Sequence, residues 1–505
     1  MPTPSDDGAD GIPVANLSNA SDGYVYTDCS GWVSFALDSV APLHQAVAAT
    51  ARTQPKFNHD RYHEATRHGW SRAFVLADLF KTADGSNGFI AVSSFADLQA
   101  GDIIAYAHGQ YADPADNKGK GGGDTGHTMI VAGAPRLVSR TGARSNGQDP
   151  SPQVVKVYAV PVVDSSNLEH FTTPEGDQRQ YTTTPADAPA WLGNQRGGTG
   201  AGTIWFGVDK DGNVVQWRFD SGDPWQPPAG SGEKILVGAA RLTDTIDLSH
   251  TALNHGALDV RVYPNASPVL GGTNYAAHEV LTGTGNLQVT GGGTLSLGRG
   301  NSFKGAMEVG GGTTLDVASD DSLGSASNAL TLDDGATLRF SSAMTFNHDV
   351  SLGGNATIDL GGNLVDLTGV ISGTGTGVLT VESSTPSGEA KLAGGIAGLS
   401  EVVVQGGAVL SLMNGGMATS SVALESGATL HVSQTSILRE IRLSGAATLD
   451  VEGGAQLTLS YGVPQGESGT GFGSLTLTGS GTLAVNQGFV TEAVLTSGDT
   501  LFVGS

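Results

Sequence analysis

The chain has 505 residues, a mass of 51.2 kDa, 75 glycines, one cysteine and a formal net charge of −24. So acidic a balance argues against tracking nucleic-acid phosphates and against docking on an anionic membrane, both of which need basic surface. One cysteine excludes an internal disulfide and a multi-cysteine metal cluster, and no apolar run of about 18 residues offers a transmembrane helix.

From the N-terminus, MPTPSDDGADGIPVANLSNA lacks a basic and then an apolar region, so it is not read as a signal peptide. Cys29 is followed by SGWVSFALDSVAPL, where Trp32, Val33, Phe35, Ala36 and Val40 share one helical face. Asp28 or Ser30 is placed to cap that helix. A thiol at the first helical turn sits in the partial positive charge of the helix N-terminus, which stabilises a thiolate. A structural cysteine more often lies inside the apolar stripe, and here it precedes it.

A second helix is expected over HDRYHEATRHGWSRAFVLADLF, with a break near Gly69. Its His59, His63, His68 and Glu64 have the i, i+4 spacing of metal ligands but no defined third partner, and a solvated face is the preferred reading. No metal or other cofactor is expected. The segments GDIIAYAHG, GHTMIVAG, VVKVYAVPVV, TIWFGVDKDG and VVQWRF read as successive antiparallel strands. The glycine run at 119–123 lacks a Walker-type Lys-Ser/Thr, so it reads as a loop flanking the site. DKDGN at 209–213 faintly resembles a calcium loop, but Asp220 stands where a bidentate Glu is needed, so a hairpin turn at Asp211-Gly212 is preferred. A thiol nucleophile needs an imidazole from elsewhere in the chain. His127 opens an apolar strand behind Gly126, a glycine that lets substrate approach; position alone leaves a surface histidine equally open.

All six Trp, the Cys and most of the Pro lie before residue 250, whereas the remainder carries seven Lys+Arg against 21 Asp+Glu. That shift places a boundary between about Asp244 and Glu279, giving domains at 15–245 and 279–505 with 246–278 as linker or cap. The second half repeats. Apolar positions inside Gly-Thr-Leu-like turns fall at Leu295, Leu315, Leu338, Ile358, Leu379, Leu410, Leu430 and Leu449, at steps of 20, 23, 20, 21, 31, 20 and 19. Each has a period-2 partner, such as Leu297, Val317 or Val432, as in a half-buried strand. Short strands recurring every 20 residues predict a right-handed parallel β-helix, an all-β solenoid whose coils bury apolar stacks only against neighbours. A Gly/Ser linker would lack that alternation.

Two resemblances follow. Residues 279–505, with GGTLSLGRGNSFKGAMEVGGGTTLDV as the sample, resemble the passenger stalks of bacterial autotransporters, although no aromatic-girdled C-terminal barrel strands follow. DCSGWVSFAL, GDIIAYA and TGHTMIVAG, in that order, resemble the nucleophile, first-strand and base blocks of NlpC-type cell-wall cysteine peptidases, within the papain-like and CHAP group. This likeness covers about residues 15–241 and implies an α+β papain-like domain with N-terminal helices and an antiparallel sheet. It further implies Cys29 as nucleophile and His127 as base. Asp164, at the end of the next strand, is chosen as the third catalytic residue, and Tyr24, Tyr26, Ser30 and Gly126 as oxyanion or substrate-positioning residues. By the same resemblance the substrate is a peptide, chiefly a peptidoglycan stem peptide with a γ-D-glutamyl bond, and the protein is secreted or on the bacterial cell surface. No nucleic-acid partner is expected. A surface adhesin or stalk with a non-catalytic binding domain is the competing reading, beside an acyltransferase or amidase using the same dyad.

Overall fold

In the computed structural model the described residues are 29–57, 71–112, 126–143, 149–166, 198–220, 223–249, 257–261, 274–413, 416–417, 421–460, 475–485, 493–495 and 500–503. They form two compact units, one drawn mainly from the chain up to His255 and the other mainly from Gly271 onward. The first is an antiparallel sheet with few helices, and the second a parallel β-solenoid.

Among the described residues three α-helices precede most of the sheet: α1 (Cys29–Val40), α2 (Pro42–Ala51) and α3 (Ala73–Lys81). The helix expected to run on through SGWVSFALDSVAPL breaks at Ala41. Pro42 cannot donate a helical hydrogen bond, and it forces the residue before it out of the helical region: Ala41 has φ −150° and ψ 59°, and Pro42 starts α2. Of the second expected helix, residues 73–81 are helical, while 58–70, with His59, His63, Glu64 and His68, lie outside the described residues.

The strands are β1 (Asn87–Ala91), β2 (Ile103–His108), β3 (His127–Val131), β4 (Arg136–Val138), β5 (Lys156–Ser166), β6 (Gly198–Val208), β7 (Val214–Arg218) and β8 (Ile235–Asp247). They lie in the order β1-β8-β2-β3-β5-β6-β7, with β4 also on β5. Helix α3 packs on β2 and β8, and α1 on β3 and β5. The α3 contact depends on Gly238, where a Cβ would lie 2.2 Å from the Ala77 carbonyl oxygen.

The sheet curls strongly. Four strand spacings separate β2 from β7, roughly 19 Å on a flat sheet. Yet the Tyr106 and Trp217 rings, on those two strands, have centroids 4.3 Å apart. The enclosed core includes Ile104, Met129, Val160, Val162, Ile204 and Phe206. The DKDGN segment is the β6–β7 hairpin turn. Asp209 accepts the Asp211 and Asn213 N–H groups at 2.9 and 2.8 Å, and Gly212 takes φ +87°. Asp220 lies beyond β7, outside that turn.

The solenoid makes about eight turns over residues 276–459. One parallel face stacks Leu295, Leu315, Leu338 and Ile358 in register and continues through Val381, Val404 and Leu424, whereas Leu379 stands two residues off that column, between Ala356 and Val402. Leu410, Leu430 and Leu449 belong to a different face, where Val365 and Ala390 precede them and Leu477 follows. The 31-residue step from Leu379 to Leu410 is therefore a change of face, not an enlarged coil. All of these stack residues are essentially sealed from water.

Candidate active site

Cys29 is the first described residue of α1 and is half-buried. Its thiol lies 3.9 Å from the Gly126 carbonyl oxygen, so the helix start abuts the start of β3. His127 is the next residue, and its side chain is hydrogen-bonded to Cys29 on one side and to Asp164 on the other.

Register explains the third member. β3 and β5 pair antiparallel with Ile130 opposite Val163 and Val131 opposite Val162. Continued by arithmetic, Met129 faces Asp164, and His127 lies diagonally across on the same face, a separation that long side chains bridge. His127 Nε2 stands 2.5 Å from Asp164 Oδ2, with the carboxylate side chain fully buried and the imidazole 10% exposed. Asp164 thus takes the Nε2 proton as acceptor, fixing the tautomer and leaving Nδ1 for the thiol.

The electrostatics favour a charged ring. Burial by itself lowers the proton affinity of His127, but the negative charge on Cys29, its hydrogen bond and the Asp164 carboxylate outweigh it, and the pKa is pushed up to about 10. A protonated His127 ring is the state that the Asp164 carboxylate and a negative charge on Cys29 stabilise.

Gly126 is needed for a reason other than substrate access. It has φ +129°, and a Cβ there would lie 1.8 Å from the Tyr106 carbonyl oxygen, so any side chain would push β2 and β3 apart. Ser30 is buried as the second residue of α1, beside the nucleophile. Tyr24, Tyr26 and the glycine run at 119–123 lie outside the described residues.

Several residues around the imidazole escaped the sequence reading. Phe219 meets the His127 ring edge-on at 5.4 Å and Tyr106 lies 6.1 Å away, directly across the β2–β3 ladder. Both also line a cleft of about 250 Å³ with Trp217, His108, Asp223 and Glu233. The available signal was alternation: Trp217 and Phe219 stand two apart in VVQWRF, at and just past the end of β7, as Ile104 and Tyr106 stand two apart in β2. What put the two strands together was the curl. Among the described residues no cluster of three His, Cys, Asp or Glu side chains is arranged to hold a metal ion, and no helix is long and apolar enough to cross a membrane.

No family model matches the chain, and no curated protein and no solved structure matches it.

Proposed function

We propose that the first unit is a cysteine hydrolase of the papain-like, NlpC-type class, cleaving amide bonds, with peptidoglycan stem peptides as the leading substrate. The observation that carries this reading is the Cys29–His127–Asp164 relay: a thiol at a helix start, an imidazole on a strand start, and a buried carboxylate behind it. In that mechanism the Cys29 thiolate attacks the scissile carbonyl carbon, and the carbonyl electrons move to oxygen. Backbone N–H groups at the start of α1 are the natural oxyanion donors. The intermediate collapses, the C–N bond breaks, and the His127 imidazolium gives its proton to the departing amine. Neutral His127 then takes a proton from water, which attacks the thioester and releases the acid with regeneration of the thiol pair. Asp164 keeps the ring oriented throughout.

The blocks DCSGWVSFAL, GDIIAYA and TGHTMIVAG support assignment to the NlpC-type peptidases, and the repeats after residue 279 support a passenger-like stalk that displays the domain on a bacterial surface or after secretion. Purified peptidoglycan incubated with the full chain and analysed by mass spectrometry tests the substrate. The expected result is release of stem-peptide fragments by wild type and none by Cys29→Ala. Identical profiles for both proteins, on peptidoglycan and on model amides, would overturn the hydrolase reading.

A further inference from the structure

We infer that His431 is a pH-responsive clamp between consecutive coils of the solenoid, one that closes when its imidazole is protonated. The clamp lies in the second unit and does not depend on the hydrolase reading.

Strand pairing sets its place. The strand Thr429–Val432 stacks in parallel between Ala408–Leu412 of the preceding coil and Ala447–Val451 of the next. Leu430 and Val432 point inward, so His431 points outward, in one row with Ser411 and Asp450. Lys391 and Asp366 precede that row and Thr478 follows it. Neighbouring parallel strands lie about 4.8 Å apart, so side chains of one row meet directly.

Both ring nitrogens face carboxylates of the next coil. Nδ1 is hydrogen-bonded to Asp450 Oδ2 at 2.8 Å, and Nε2 lies 3.3 Å from Glu452 Oε1. Asp450 is held from its far side by the Thr478 hydroxyl, which donates to the other carboxylate oxygen at 2.9 Å. From the preceding coil the row offers Ser411, whose hydroxyl donates to Glu389 Oε1 at 2.6 Å. The charged groups around the ring are thus Asp450, Glu452 and, beyond Ser411, Glu389, with Lys391 two coils back as the cation of the row.

A neutral imidazole has one N–H and one lone pair. Donating from Nδ1 to Asp450, it turns the Nε2 lone pair toward the Glu452 carboxylate, which is repulsive. A second proton converts that repulsion into attraction and makes the Asp450 hydrogen bond charge-assisted. The imidazole is 21% exposed and the Asp450 side chain 34%, so water screens the gain while leaving the ring open to proton exchange. By linkage, a proton that favours stacked coils adds stability in acid, and that stability is lost as pH rises through the imidazole range, about 6–7. Carboxylates stay ionised down to about pH 5, so the response falls between about pH 8 and pH 6.

Two backbone hydrogen bonds cross the same seam: Thr448 N–H donates to the Ala428 carbonyl at 3.0 Å, and Glu452 N–H to the Val432 carbonyl at 2.9 Å. Their amide hydrogen exchange reads its opening. Exchange of the full chain, followed by mass spectrometry and corrected for the intrinsic pH dependence of exchange, should show protection over residues 447–452 rising about fivefold from pH 8 to pH 6. His431→Gln keeps a polar side chain without the titration and should change less than about twofold. Glu452→Gln, which removes one of the two carboxylates, should fall between them. His431 points outward and Glu452 is exposed, so neither variant removes a core contact, and circular dichroism checks the fold. A wild-type protein without the rise, or either variant with the full rise, overturns the clamp.

Discussion

Replacing Cys29 by Ser should change the titration of His127, and by an amount large enough to measure. In the intact site the ring holds its proton up to about pH 10, against the effect of burial, with the charge on Cys29 the largest influence raising it. Two charges about 4 Å apart interact at roughly 4 kcal/mol at an effective dielectric near 20, which corresponds to about a thousandfold in proton affinity. Serine carries no charge in this range. Its variant leaves burial opposed only by Asp164, and the imidazolium should release its proton near pH 7, about three pH units lower. Asp164→Asn should move the midpoint in the same direction, because the carboxylate also raises it. The assay is NMR titration of the His127 ring carbon in ¹³C-histidine-labelled protein, with His127→Gln identifying the signal. A wild-type ring that titrates near the ordinary 6.5, or a Cys29→Ser ring that still titrates near 10, would refute the pairing.

Gly126→Ala should destabilise the first unit by about 3 kcal/mol or more, combining the cost of an unfavourable positive φ with overpacking against the Tyr106 carbonyl; urea unfolding followed by tryptophan fluorescence measures it, since all six Trp lie before residue 250. Leu430→Ala should cost the solenoid about 2–5 kcal/mol by opening a cavity in a sealed stack. Circular dichroism at β wavelengths should show that loss while the tryptophan transition stays in place, and a shift of the tryptophan transition by the same amount would show that the two units do not unfold separately. His127→Ala should lower amide hydrolysis by about 10²–10⁴-fold, with Asp164→Asn costing less, because an orienting carboxylate contributes less than the base itself.

The solenoid was legible because each coil must supply its own inward aliphatics, so Leu295, Leu315 and their successors repeat along the chain at the coil length. The change of face between Leu379 and Leu410 was not legible. Both faces demand the same Thr-Leu-x-Val signature, and only strand pairing shows that Leu379 stacks on Val402 while Leu410 stacks on Ala390. The break at Ala41 is written in the sequence as Pro42, and the apolar face from Trp32 to Val40 ends just before it. In the first unit Cys29 and His127 stood out because a helix start and a strand start are local features. Asp164 followed from strand order, and the β3–β5 register puts it on the His127 face. Trp217, Phe219 and Glu233 could not be joined to the site in advance, since sheet curl is a sum of small twists over five strands that no single segment encodes.

The central claim, a Cys29 thiolate held by the His127 imidazolium, is tested most directly by the pH profile of Cys29 alkylation with iodoacetamide in the full chain. One cysteine makes the reaction unambiguous, and the thiolate is the reacting species. Fast alkylation persisting at pH 6 in wild type, and slowing markedly there in His127→Ala, is the result the pairing predicts. A single inflection near pH 8.5, the ordinary thiol range, unchanged by His127→Ala, would contradict it.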